Sequence, residues 1–203
     1  EQRQQLDLLR QLNEAHSANL RKDAQLEARL EAYELAYKMQ IEATDAFDIA
    51  LEPDDARQLY KAETQFGRQL LIARRLLEKG FRFVQVWHGG WDHHRDLANS
   101  LRRRAEECDQ PIAGLLTDLK SRGLLDDTLI IWGGEFGRTP TADNNNRGES
   151  PGRNHNNKAF SGWLAGAGVK GGITYGSTDE LGARAVENKV HIHDLHATIL
   201  NRL

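Results

Sequence analysis

Two apolar runs that each end in paired glycines constrain this chain most. Phe81 to Asp96 reads FRFVQVWHGGWDHHRD: an alternating apolar stretch breaks at Gly89-Gly90 and at once delivers Asp92, His93 and His94. Thr128 to Arg138 reads TLIIWGGEFGR: a second apolar run ends at Gly133-Gly134 and delivers Glu135. Runs of β-branched and aromatic residues bounded by glycine predict strands, here over 81–87 and 128–133. In open α/β sheets, sites form beyond the carboxyl ends of strands. The two stretches are therefore expected to face each other across one cleft.

The rest of the chain predicts helices around those strands. Leu6, Leu8, Leu9 and Leu12 form one apolar stripe, and Leu26, Leu30, Tyr33, Ala36, Tyr37, Met39 and Ile41 carry a helical period. Pro53 stops that helix, and Asp54 or Asp55 can cap a next one that runs through Leu59, Phe66, Leu70, Leu71, Ala73, Leu76 and Leu77 to Gly80. A helix from Asp92 or Asp96 to Cys108 is expected, then another opened by Pro111 and ended by Gly123. Residues 139–158 form a polar loop long enough to be functional, with Gly148 and Gly152 allowing close backbone approach. Ala159–Ala165 predicts a third strand, Ile173–Gly176 a short edge strand, and Asp194–Leu203 a closing helix. Helices alternating with strands from Gly80 onward predict an α/β domain with a mostly parallel sheet flanked by helices. The expected organisation is one unit over residues 1–203, with a helical segment over 1–80 and a sheet-bearing core over 81–203.

Composition removes several classes of function. The 203 residues are 28% charged with a net charge of -3, and basic residues are interleaved with acids, so no nucleic-acid surface is expected. No run reaches the roughly 18 apolar residues of a membrane span. The single cysteine, Cys108, excludes an internal disulfide and a multi-thiolate zinc site, and reads as a buried helix residue. No nucleophile elbow, P-loop or dinucleotide fingerprint is present. The chain opens without methionine or an apolar leader and stops within a helical pattern, which reads as a fragment.

The residues able to carry chemistry cluster at the strand ends. Asp92 and His94, two apart, can reach one ion from a turning backbone, and a carboxylate with an imidazole suits Zn, Mn, Fe or Mg. The alternative is a capping Asp beside exposed histidines. Glu135 is a further ligand or a partner for Arg138. Arg138 offers a planar guanidinium to phosphate, sulfate or carboxylate oxygens, or pairs structurally with Glu135 or Asp143. His155 lies on the polar loop, where a histidine is often merely solvated, and Arg153 beside it is a second candidate for anion contact. His191, His193 and His196 are dense enough to suggest a metal. Strand alternation for His191 and His193, and capping by Asp194, account for them without one. The four tryptophans read as core or cleft wall.

VQVWHGGWDHHRDL, PIAGLLTDLKSRGLLDDTLIIWGGEFGRTP, GRNHN, FSGWLAGAGVKGG, YGSTDELG and AVENKVHIHDLHATIL together resemble the bacterial DUF1501 family, sulfatase-like proteins of the alkaline phosphatase/sulfatase superfamily. The resemblance spans nearly the whole chain. It implies an alkaline phosphatase-like core, incomplete here, with metal beyond the strand ends. It implies Asp92, His94, Glu135 and His155 as ligands of a divalent ion (Zn, Mn, Ca or Mg), and the guanidinium chemistry of Arg138, joined by Arg153, is expected to hold an anionic ester. Phe136 stands where a two-metal relative has histidine, which argues against a full dinuclear site. The family's N-terminal strand, with its first metal carboxylate, and its twin-arginine signal are absent, so the nucleophile is expected outside this chain and the full-length protein is expected to be periplasmic or exported. The expected activity is metal-dependent hydrolysis of a sulfate or phosphate ester, with sulfated polysaccharide as an expected substrate. The alternative is a non-catalytic binding or scaffolding relative that retains the fold.

Overall fold

The computed structural model describes Gln4 and residues 7–12, 24–143 and 150–202. The readings of Leu6, of the side chains of Leu26, Met39 and Ile41, and of Gly148 lie outside what is described. Residues 7–12 are helical, with Leu8, Leu9 and Leu12 exposed. The elements that follow are α1 (Ala24–Phe47), a single 3-10 turn (Ile49–Leu51), α2 (Asp54–Leu59), α3 (Gln65–Glu78) and α4 (Leu97–Ser121). Strands β1 (Ile130–Trp132), β2 (Gly137–Ala142), β3 (Arg153–Asn156), β4 (Trp163–Ala165), β5 (Ser177–Thr178) and β6 (Ala185–Glu187) then lead to α5 (Ile192–Arg202).

The helix expected from Asp54 to Gly80 divides at residues 60–64. Thr64 restarts it by accepting the Gly67 amide on its hydroxyl at 3.1 Å, which satisfies one of the free N–H groups of the first turn. Gly80 ends α3 at φ +82°, and the Phe81 amide returns to the Leu76 carbonyl at 3.1 Å. The break expected between Cys108 and Pro111 does not occur. Pro111 lies inside the continuous α4 and is fully buried, so packing outweighs the one hydrogen bond the proline lacks.

The core sits where α3 crosses α4. Tyr60, Ala62, Leu70, Leu71, Leu115 and Leu119 are buried together. Each fully buried Leu contributes about 1.5–3 kcal/mol of transfer free energy. Gly114 lets α4 touch the Leu59 carbonyl, a spot a Cβ would occupy. Charges run through this core. Arg74 is 1% exposed and pairs with Glu52, with Glu78 at 2.5 Å and with Asp118 at 3.1 Å. Tyr60 donates to Asp118 Oδ2 at 3.0 Å, and Arg75 pairs with Glu52 from the other side. Buried charges persist only when paired and hydrogen-bonded in this way.

The sheet expected from the sequence is mostly parallel. The described strands instead pair antiparallel, β1 with β4, β2 with β3 and β5 with β6. Residues 81–87 form no ladder among the described residues, although their exposure alternates as in a strand: Val84, Val86 and His88 turn inward while Phe83, Gln85 and Trp87 face out. The third strand is shorter than expected, beginning at Trp163, and the edge strand lies at Ser177–Thr178 rather than at 173–176. His191 and His193 do not alternate on a strand. α5 begins at Ile192, and Asp194 caps it by accepting the His191 amide at 2.9 Å.

Candidate metal and anion centre

The DHH segment is held in place from the polar loop. The Asp96 amide donates to Ser150 O at 2.9 Å, Arg153 N to His93 O at 2.9 Å, and Arg95 bridges to Pro151. Asp96 then turns the chain into α4 at φ +46°. Gly152 is buried against this backbone, with no room for a side chain between it and His93, His94 and Arg95.

Pairing of β2 with β3 places Arg138 directly opposite His155. Both reach Asp92. His155 Nε2 lies 2.8 Å from Asp92 Oδ1, and Arg138 Nη1 contacts the same oxygen. His94 Nε2 approaches that oxygen at 3.1 Å. One ligand atom from each of Asp92, His94 and His155 lies within 4.8 Å of the others. Asp92 is exposed, His94 half-buried and His155 exposed, so the centre opens to solvent. A hydrogen bond from His155, then one from Arg138, hold the Asp92 carboxyl down at about 2. Asp92 is therefore a carboxylate throughout the neutral range.

The residues expected at the site are thus divided. Asp92, His94, His155 and Arg138 come together. Glu135 is exposed and reaches the centre only through Arg138 Nη2, 3.4 Å from its Oε1. Arg153 turns away, its guanidinium donating to the Pro140 carbonyl and, at 3.4 Å, to Thr139 O. It braces the β2–β3 pair instead of facing an anion. Phe136 packs its ring on His155 at 4.3 Å between centroids, and Arg138 lies over the same ring at 5.6 Å.

Sequence reasoning missed the role of Asp143. This residue is 6% exposed, and its Oδ2 lies 2.8 Å from His94 Nδ1. A lone aspartate near the start of a polar loop carries no motif. Its partner is 49 positions away, so only the folded chain reveals it.

Beside the centre lies an aromatic wall. Trp91 meets Trp132 edge-to-face at 6.0 Å, and Trp132 lies nearly parallel to its cross-strand partner Trp163 at 6.3 Å. With Ala105, Ile112 and Leu116 of α4 they line a cleft of about 430 Å³. The two glycine-ended stretches do face each other, through Trp91–Trp132 and Asp92–Arg138. At the back of the cleft Cys108 Sγ lies 3.3 Å from His88 Nδ1, which also accepts the Trp91 indole N–H at 2.9 Å. Burial, then the charges of Glu107 and Asp109, push the thiol up to about 11, so it is not a nucleophile poised for neutral pH.

Residues 1–203 match the family described as "Protein of unknown function (DUF1501)". The chain belongs to the DUF1501 family. No curated protein and no solved structure matches this DUF1501 chain. Among its described residues, no helix is long and apolar enough to cross a membrane.

Proposed function

We propose that this chain carries the metal- and anion-binding residues of a hydrolase site for sulfate or phosphate esters, in an exported protein with an alkaline phosphatase-like core. The observation that carries the reading is the convergence of Asp92, His94 and His155 on one point, with Arg138 touching the same carboxylate. Two imidazole nitrogens and a guanidinium crowd a single Asp92 oxygen. Imidazoles face that oxygen favourably as hydrogen-bond donors or, in the other tautomer, around a cation, and three ligand atoms within 4.8 Å of one another support the second. Two imidazoles and one carboxylate suit zinc or manganese, whereas calcium and magnesium favour all-oxygen shells.

A divalent ion held there by Asp92, His94 and His155 would supply Lewis-acid polarisation of the ester oxygen. The chain's own residues do the rest. Arg138 presents the guanidinium to the non-bridging oxygens of a sulfuryl or phosphoryl group, and Phe136 supports both Arg138 and His155 from below. Glu135 stands on the far side of Arg138 and holds its orientation. The attacking group is not among the described side chains nearby. Thr139 bonds Thr141 O, Ser150 bonds Asp96, and the Cys108 thiol is kept protonated.

A second reading, a non-catalytic relative that keeps the ion, is favoured by the lack of a poised nucleophile among these residues. One experiment separates the two: metal analysis, with aryl sulfate and aryl phosphate assays, on the protein as wild type, Asp92→Asn and Glu135→Ala. Ester turnover lost in Asp92→Asn together with the metal supports the hydrolase. Bound metal without turnover of either ester supports the scaffold. An unmetallated wild type defeats both.

A further inference from the structure

The arrangement around His94 goes one step beyond the ligand trio. Asp143 is nearly sealed from solvent, and a carboxylate in such a place must be compensated. One compensating group is His94 Nδ1, 2.8 Å from Asp143 Oδ2. A carboxylate at that distance accepts a hydrogen bond from Nδ1–H, and in that tautomer Nε2 is the nitrogen whose lone pair can ligate a cation. Nε2 is the atom that faces Asp92 and, beyond it, His155. The ring is therefore held with the correct nitrogen toward the point where the three ligand atoms converge.

The position of Asp143 is itself fixed by the backbone. Its amide donates to Gly152 O at 3.0 Å, and the next residue, Arg153, donates from its amide to His93 O at 2.9 Å. Asp143 lies one residue past β2, and β2 carries Arg138 while its partner β3 carries His155. The β2–β3 pair thus delivers the third ligand, the anion-facing arginine and, one residue past β2, the carboxylate behind His94.

We propose that Asp143 is the positioning residue of the metal centre, the outer member of a carboxylate–imidazole–metal relay through His94. This rests on the metal reading of Asp92, His94 and His155. Outer carboxylates of this kind fix the imidazole's tautomer and raise its basicity, and their loss typically costs 10- to 100-fold in metal affinity.

The test is calorimetric titration of the full chain with Zn²⁺ and with Mn²⁺. Wild type, Asp143→Ala, Asp143→Asn and His94→Ala are compared, and circular dichroism establishes that each is folded. Asp143→Ala is expected to bind each ion about 10- to 100-fold more weakly. Asp143→Asn is nearly isosteric and its carbonyl still accepts from Nδ1, so it should recover most of that loss. His94→Ala should lose more than either. Wild-type affinity in a folded Asp143→Ala overturns the role of Asp143 while leaving the metal site standing. Should Asp143→Ala fail to fold, Asp143→Leu, which fills similar space with no acceptor for Nδ1, takes its place, and wild-type affinity in that folded variant overturns the role equally. A wild type that binds neither ion overturns the metal reading itself, and Asp143 falls with it.

Discussion

Gly152 and His94 are in backbone contact so close that a methyl group on the glycine would fall well under 3.0 Å from the His94 carbonyl carbon. The clash is with main chain and cannot be relieved by rotating a side chain. Gly152→Ala should therefore push the β2–β3 hairpin away from the DHH segment. Forcing a methyl into a packed site costs about 1–3 kcal/mol. Urea denaturation should show that loss, and zinc titration should show weakened binding, because His155 rides on the displaced strand. A variant with wild-type midpoint and affinity would show that the loop does not position the site.

How far the site could be read from the sequence follows from the range of each contact. Asp92, His94 and Arg138 were legible because each follows an apolar run broken by paired glycines, although among the described residues only the second of those runs forms a strand, β1. His155 was legible only through resemblance. Its delivery depends on the Arg138–His155 register, which no local pattern encodes. Glu135 has the composition of a ligand, yet Arg138 intervenes between it and Asp92. Arg153 has the composition of an anion binder, yet nearby carbonyls satisfy its guanidinium first. Among the elements, Gly80 announced its turn through its own conformational freedom. Pro111 announced a break that core packing overrode, and the antiparallel pairings rest on long-range contacts that alternation of helix and strand does not report.

Glu52 should govern the acid limb of stability. It is 8% exposed and lies between Arg74 and Arg75. Burial raises its pKa, but the hydrogen bonds from Arg74 and Arg75 more than reverse this, leaving it below the ordinary 4.5. A depressed carboxyl stabilises the fold above its unfolded value and loses that contribution as pH falls through the folded value. Wild-type stability should thus decline below about pH 4.5. Glu52→Gln should cost about 3 kcal/mol at pH 7, since two buried arginines lose their shared partner. Denaturation curves of variant and wild type should converge as the pH is lowered. A gap that stays constant from pH 7 to pH 3 would count against this network.

The Cys108 thiol should behave as core. With its pKa raised from 9.0 to about 11, its thiolate fraction at pH 8 falls about a hundredfold below that of an ordinary thiol, and burial slows reagents further. Reaction with a disulfide reagent such as DTNB should be at least about a hundredfold slower in the folded chain than in urea. Equal rates in the two states would mean that the cleft behind Trp91 admits reagents to a thiol that is readily ionised.

Arg138 should oppose the metal and favour the anion. Its guanidinium contacts the same Asp92 oxygen that the histidines approach, so it competes with a cation for that atom. Arg138→Gln removes the competing charge. Because Asp92 is more than half exposed, the gain is limited to about 1 kcal/mol, or roughly fivefold tighter zinc binding. The same variant loses the charged donor for the ester's oxygens. Sulfate or phosphate affinity of the zinc-loaded chain should fall about tenfold or more, the usual worth of a hydrogen bond to a charged group. Opposite signs for the two ligands, measured on one variant by calorimetry, are the signature expected of a residue that sits between metal and substrate. A fall in both affinities would instead make Arg138 a structural brace for Asp92, with no direct part in holding the anion.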